Sequence, residues 1–172
     1  MATKYTDNLR KLFRNYKSLS ERAMAQLDNS QMHWRRDEHS NNVATIAKHM
    51  AGNLISRFTN FMTEDGEKPW RNRESEFDDD FSSREQLMDY WEKGWQCLFD
   101  AIEPLTDEDL DRTVKIRNEP HTVLEALNRQ LTHYAYHAGQ IVLLAKMQKG
   151  AEFESLSIPR GQSEEFNARM FS

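Results

Sequence analysis

Four stretches of the chain repeat apolar residues every three or four positions, a period that suits a helix and not a strand. The first covers residues 5–27, with Leu9, Leu12, Phe13, Tyr16, Leu19, Ala23 and Leu27 on one stripe. The second covers 42–62, with Asn41 or Asn42 as its cap and Val43, Ile46, Met50, Leu54, Phe58 and Phe61 at helical spacing. A third spans 83–102 through Leu87, Trp91, Gly94 or Trp95, Leu98 and Ile102, and Pro104 stops it. The fourth spans 121–148, starting just after Pro120. Leu124, Leu127, Leu131, Tyr134, Ala138, Ile141 and Ala145 form its stripe, and Gly150 ends it. Only "DRTVKIR", before the fourth helix, suggests a brief extended segment or hairpin arm. The expectation is an all-α fold of four helices in one domain over 1–172.

The connections constrain how those helices can lie. Helices two and three are separated by "TEDGEKPWRNRESEFDDDFS", far longer than the roughly 2–8 residues that join antiparallel neighbours in a bundle. A crossover of that length reaches from one end of a bundle to the other and leaves helices two and three parallel. The tail, 150–172, carries no helical stripe until its last residues.

Charge and composition remove several classes of function. The net charge is −5, and the basic residues are scattered rather than gathered into a stripe. A phosphate backbone therefore finds no matching surface, and nucleic acid is not an expected partner. No apolar run approaches the roughly 20 residues that span a bilayer, so no membrane is expected either. "MATKYTDNLRKLFRNYK" has no apolar core of the secretory kind, and the single cysteine, Cys97, cannot form an internal disulfide. Cytoplasmic residence is the default expectation. Cys97 sits mid-helix without an obvious activating partner and reads as inert.

The residues that carry chemistry are histidines. In "LTHYAYHAGQ", His133 and His137 are four apart, so their side chains leave the helix in nearly the same direction, one turn from each other. Two imidazoles on one helix do not close a site. A third is offered by His49 in "IAKHMAGN", at the edge of the second helix's apolar stripe. His33, His39 and His121 fall at boundaries or in loops. Three neutral imidazoles with open positions suit a divalent transition metal such as zinc or nickel. The alternative is a polar seam in which the rings hydrogen-bond to one another and to their neighbours.

Around His49 the same face continues through Asn53 and Arg57, while Gln130 and Gln140 flank the helix-four pair. In the crossover, "KPWRNRESEF" puts Trp70, Arg71 and Arg73 where they can cover the open end of the site. Arginine is a usual clamp for carboxylate or phosphate. The plainer alternative is a solvated loop pinned by its tryptophan. Arg57 is equally readable as half of a structural salt bridge, and Arg117 and Glu119 can line a mouth or pair together. The aromatics of "YWEKGWQCLF" and the eight methionines read as core or as contact with a second copy.

Taken in order, "NNVATIAKHMAGNLISRF" and "LTHYAYHAGQIVLLAK" resemble the second and fourth helices of the DinB-like superfamily, also called the YfiT-like metal-dependent hydrolases. "HWRRDEHSNNVA", "EDGEKPWRNRESEF" and "SIPRGQSEEFN" resemble segments of one uncharacterised bacterial branch of it, so the resemblance covers nearly the whole chain. It implies a four-helix bundle of up-down-down-up topology, His49, His133 and His137 as ligands of one divalent metal, and a homodimer. Better-understood members of the superfamily are transferases that use low-molecular-weight thiols, and a thiol-dependent isomerase.

No carboxylate lies one turn from the histidines on either helix, so water activation lacks a base and thiol transfer suits the site better. The expected function is a metal-dependent enzyme acting on a small molecule by thiol transfer or hydrolysis, with Asn53, Arg57, Trp70, Arg73 and Gln140 as candidate substrate contacts. The alternatives are a non-catalytic metal- or ligand-binding module, and a stress-associated interaction protein in which the histidines are relics.

Overall fold

A computed structural model describes residues 4–171; Met1, Ala2, Thr3 and Ser172, which the single-domain expectation includes, lie outside the described residues. The fold is helical apart from one small hairpin. In chain order the elements are α1 (Tyr5–Met24), α2 (Asn29–Met32), α3 (Val43–Phe58), α4 (Arg84–Ile102), β1 (Thr113–Ile116), β2 (Glu119–Thr122), α5 (Val123–Lys149) and α6 (Ser163–Met170). Single 3₁₀ turns occur at Glu74–Phe77, Asp107–Asp109 and Gly150–Glu152.

The four long helices start where side chains can take up their free N–H groups. Asn42 caps α3 in a reciprocal pair with Thr45, and Thr122 does the same for α5 with Glu125. α3 ends at Phe58, earlier than its apolar stripe runs, because Asn60 turns into the left-handed region at φ 50°. α5 starts at Val123, because residues 119–122 are the second strand of the hairpin. Strands β1 and β2 pair antiparallel through Ile116 and Glu119, leaving Arg117 and Asn118 as a two-residue turn with both φ values positive. At its far end α5 stops at Gly150, whose φ of 55° only glycine adopts freely.

The core is built on aromatic rings. Phe13, Trp91, Trp95 and Tyr134 are fully buried, and the Trp95 ring lies 5.6 Å from that of Tyr134. Each such side chain contributes roughly 1.5–3 kcal/mol by leaving water. The two tryptophans of α4 are therefore spent inside the chain and are not free to meet a second copy. Close approach of α3 and α4 depends on Gly94, where a Cβ would stand 2.8 Å from the Cα of Ala51. Arg84 at the start of α4 donates to the carbonyls of Met24 and Leu27, and Ile102 at its end accepts from Arg10. Tyr5 bonds Asn128 near the start of α5, and Gln26 bonds Glu154 beyond its end.

α3 is enclosed on almost every side; among its residues only Lys48 and Ile55 fall short of full burial. Part of that cover is the crossover, residues 59–83, which is fastened at several points. Lys48 reaches the carbonyl of Ser75 and the carboxylate of Asp80, and Asp79 accepts from Asn42 and contacts His33. At the other end Asp65 accepts the N–H groups of Arg117 and Asn118, and Gly66 donates to Lys115. The acid run Asp78–Asp80 thus holds the loop onto α3. No helix among the described residues is long and apolar enough to cross a membrane.

Candidate metal centre

Burial of α3 sends His49, Asn53 and Arg57 inward on one face, each about 5% exposed. α5 presents His133 and His137 to the same place. The Nε2 atoms of His49 and His133 are 3.4 Å apart, and those of His133 and His137 are 3.0 Å apart. One nitrogen from each ring lies within 4.8 Å of the other two, close enough for the three to hold a single metal ion. Ligands about 2.0–2.1 Å from a common ion at tetrahedral to octahedral angles stand roughly 2.9–3.4 Å apart, so the two closest spacings fit. Among the described residues His33, His39 and His121 are not part of this cluster.

The outer nitrogens decide what the inner ones offer. His49 Nδ1 is 2.8 Å from Glu76 Oε2, and an ionised carboxylate can only accept, so that nitrogen carries the proton. Burial works to raise the Glu76 carboxyl, but the hydrogen bonds from His49 and Arg71 hold it below the usual carboxylate range. His137 Nδ1 likewise donates to Gln140 Oε1 at 2.7 Å. Both Nε2 atoms therefore point lone pairs at His133, which has at most one proton to share between them. A closed hydrogen-bonded seam does not satisfy three such rings, whereas a cation does.

Charge is excluded from the two rings of α5. Burial, with His137, His49, Arg57 and Arg71 nearby, pushes His133 down to about 3; burial and His49 push His137 down to about 4. Neutral imidazoles at ordinary pH are what a metal needs. His49 is further fixed by Phe77, whose ring stacks on it at 4.8 Å, and the Arg73 guanidinium lies over the Phe77 ring at 5.2 Å.

Glu76 comes from the crossover's 3₁₀ turn and is held there by Arg71, which donates to both of its oxygens at 2.8 and 2.9 Å. Room for the carboxylate exists only because residue 52 has no side chain: a Cβ there would lie 2.6 Å from Glu76 Oε1. Beside the rings is a cavity of about 190 Å³ lined by His49, His133, Asn53, Arg57 and Arg73, with Arg71, Arg117, Arg129 and Gln130 completing it.

A family model whose description is "Protein of unknown function (DUF1572)" matches residues 1–162. The chain belongs to this family. The matched span holds all three histidines and Glu76, and it ends just before α6. No curated protein matches the chain.

Of the residues expected to contact substrate, Asn53, Arg57 and Arg73 line the cavity. The oxygen of Asn53 accepts from the buried Tyr134 hydroxyl at 2.9 Å, and Arg57, besides lining the cavity, makes a salt bridge with Glu67 at 3.1 Å. Gln140 orients His137 instead of lining the cavity, and Trp70 is 58% exposed and stands outside it. Cys97 contacts Thr59 and Ile55 and lines a different cavity. Sequence reasoning missed Glu76, Phe77 and Arg129. For Glu76 one signal existed: Gly52 sits mid-helix, where glycine costs about 1 kcal/mol against alanine, as it does when another group needs the space.

Proposed function

We propose that the chain is a divalent-metal-dependent enzyme of the DinB-like kind, holding a zinc, nickel or similar ion through His49, His133 and His137. The observation that carries this is the pair of Nδ1–H donors, to Glu76 and to Gln140, which aim two Nε2 lone pairs at the third ring. The chemistry such an ion supplies when bound is a lowered pKa for a thiol or water beside it. An up-down-down-up bundle is supported by the pairing of Gly94 with Ala51 and of Cys97 with Ile55, against the opposed pairing of His49 with His137 and of Asn53 with Tyr134.

Between the two reactions, thiol transfer is favoured. Both oxygens of Glu76 are taken up by His49 and Arg71, so the one carboxylate bonded to the triad is not free to act as a base on water. Transfer needs none: the sulfur of a low-molecular-weight thiol forms the new C–S bond, the leaving group departs with its electron pair, and the thiol proton passes to solvent. In that scheme Asn53 and Arg57 orient the substrate, while Glu76 and Gln140 keep the imidazoles in one tautomer. A non-catalytic metal-binding protein is the second reading, and a metal site without turnover would support it.

The test is the rate at which cysteine or a cysteine-derived thiol displaces chloride from 1-chloro-2,4-dinitrobenzene, with zinc- or nickel-loaded chain against chelator-treated chain. Acceleration only by the loaded chain supports the transferase; full metal occupancy without acceleration over a panel of electrophiles favours the binding protein. A homodimer is part of the proposal, supported by exposed Tyr136, Leu143 and Met147 along α5, and sedimentation at micromolar concentration checks it.

A further inference from the structure

The cavity beside the triad is crowded with guanidinium groups, from Arg57, Arg71, Arg73, Arg117 and Arg129. The carboxylates that pair with them are few. Glu67 is shared by Arg57, Arg71 and Arg117 at 3.1, 3.3 and 3.2 Å; Glu76 takes Arg71; Glu74 takes Arg73 at 3.2 Å. The guanidinium of Arg129 has no ion pair or hydrogen bond among the described residues; only its backbone carbonyl is bonded, by the Thr132 hydroxyl at 3.0 Å. Asp65, the next acid along the crossover, is turned to the backbone N–H groups of Arg117 and Asn118. Five cations meeting three carboxylates leave the cavity positive.

Two side chains of the same wall each carry a buried, unsatisfied atom. The Nε–H of Arg57 and the Oε1 of Gln130 have no hydrogen-bond partner among the described residues, although the residues are only 5% and 4% exposed. Buried polar groups in folded proteins are nearly always paired, and an orphan in a cavity marks a place for a bound molecule. Here one orphan donates from a cationic group and the other accepts. The complement is a molecule carrying a negative oxygen beside an O–H or N–H donor. A volume of about 190 Å³ holds roughly six waters, enough for the anionic end of a small organic acid.

We propose that this cavity is the subsite for the oxyanion of the substrate: a carboxylate or phosphate held by the arginines, next to a hydroxyl or amine that donates to Gln130. It rests on the metal-enzyme reading only for what happens at the other end of the molecule; the anion is bound by this chain's own side chains.

The test is calorimetric titration of the full-length chain at low salt with inorganic phosphate, malonate and tartronate, which is malonate bearing one hydroxyl. Phosphate or malonate is expected to bind, more weakly as sodium chloride is added. Arg73→Gln and Arg129→Gln, both at exposed positions, are each expected to weaken binding by about tenfold, the scale of losing a charge-assisted contact, while Lys11→Gln on α1 leaves it unchanged. Tartronate is expected to bind tighter than malonate, and Gln130→Met to abolish the difference. Preference between malonate and phosphate assigns the oxyanion as carboxylate or phosphate. His137→Ala removes a proposed metal ligand but no wall of the cavity, so it is expected to keep anion binding. Wild-type chain that holds no metal yet binds the anions would sink the enzyme reading and leave the subsite standing. Binding confined to metal-loaded chain, unchanged affinity in both arginine variants, or no binding at all would overturn the subsite, and equal affinity for tartronate and malonate would overturn the role of Gln130.

Discussion

His49 and Glu76 are joined by a 2.8 Å hydrogen bond between two side chains that are each 6% exposed. The bond reaches across 27 residues of chain, from a helix to a loop, and it fixes which nitrogen of His49 is left to face His133 and His137. Arg71 completes the arrangement by closing a two-pronged contact on the same carboxylate.

Replacing that carboxylate separates its two duties. Glu76→Gln keeps an acceptor but loses the charge that orients His49, and metal affinity is expected to fall by about 10–100-fold, the usual scale for an outer partner of a ligand histidine. Glu76→Ala also leaves buried Arg71 with Glu67 as its one remaining carboxylate and is expected to destabilise the fold by about 1–3 kcal/mol, the scale of losing a buried charge-assisted partner. Competition with a chelator reads the first effect and denaturant unfolding the second.

Gly52→Ala tests the same contact from the opposite side. The new Cβ would stand 2.6 Å from Glu76 Oε1, so the carboxylate must move and its bond to His49 must lengthen. Alanine favours the helix by about 1 kcal/mol, so the expected signature is a loss of metal affinity larger than any loss of stability. Unchanged affinity would mean that Glu76 is not positioned through this gap.

Acid is expected to weaken the metal-stripped chain. His133 and His137 titrate near 3 and 4 when folded but near 6.5 as free side chains. As pH falls below 6.5 the unfolded chain takes up protons that the folded one refuses, so stability drops between about pH 6.5 and 3 and levels off as the folded values are passed. Thermal melts in chelator at pH 7, 6 and 5 check this. Replacing His133 and His137 together by leucine should flatten the slope over that interval.

Trp95→Ala is expected to cost about 3–5 kcal/mol, as removal of a fully buried large ring does, and to lower the melting temperature by roughly 10 °C or more. The metal-stripped protein is the right sample, since bound metal adds its own stabilisation. A drop of only a degree or two would contradict the core placement of this ring.

Much of this architecture could be read before any coordinates. The 3.6-residue period located the four long helices to within a few residues, since burial of one stripe leaves a regular trace, and Pro104 and Gly150 marked two of their ends. His133 and His137 were legible because both lie on one helix, and His49 because it borders a buried stripe. Glu76 and Arg129 were not. Glu76 sits in a crossover with no period, and its place is set by contacts with Arg71, Gly52 and His49 that lie from 5 to 27 positions away. The same holds for Trp70: a tryptophan in a loop suggested a lid or an anchor, yet its ring faces solvent, and Phe77 is the aromatic that stacks on His49.

The most direct measurement is X-ray absorption at the metal edge, on chain purified from metal-replete expression and quantified by elemental analysis. The account predicts about one transition-metal ion per chain, with imidazole nitrogens at about 2.0–2.1 Å contributed by three histidines, and no metal retained when His49, His133 and His137 are all alanine. Metal-free wild-type protein, or equal metal content in the triple variant, would contradict it.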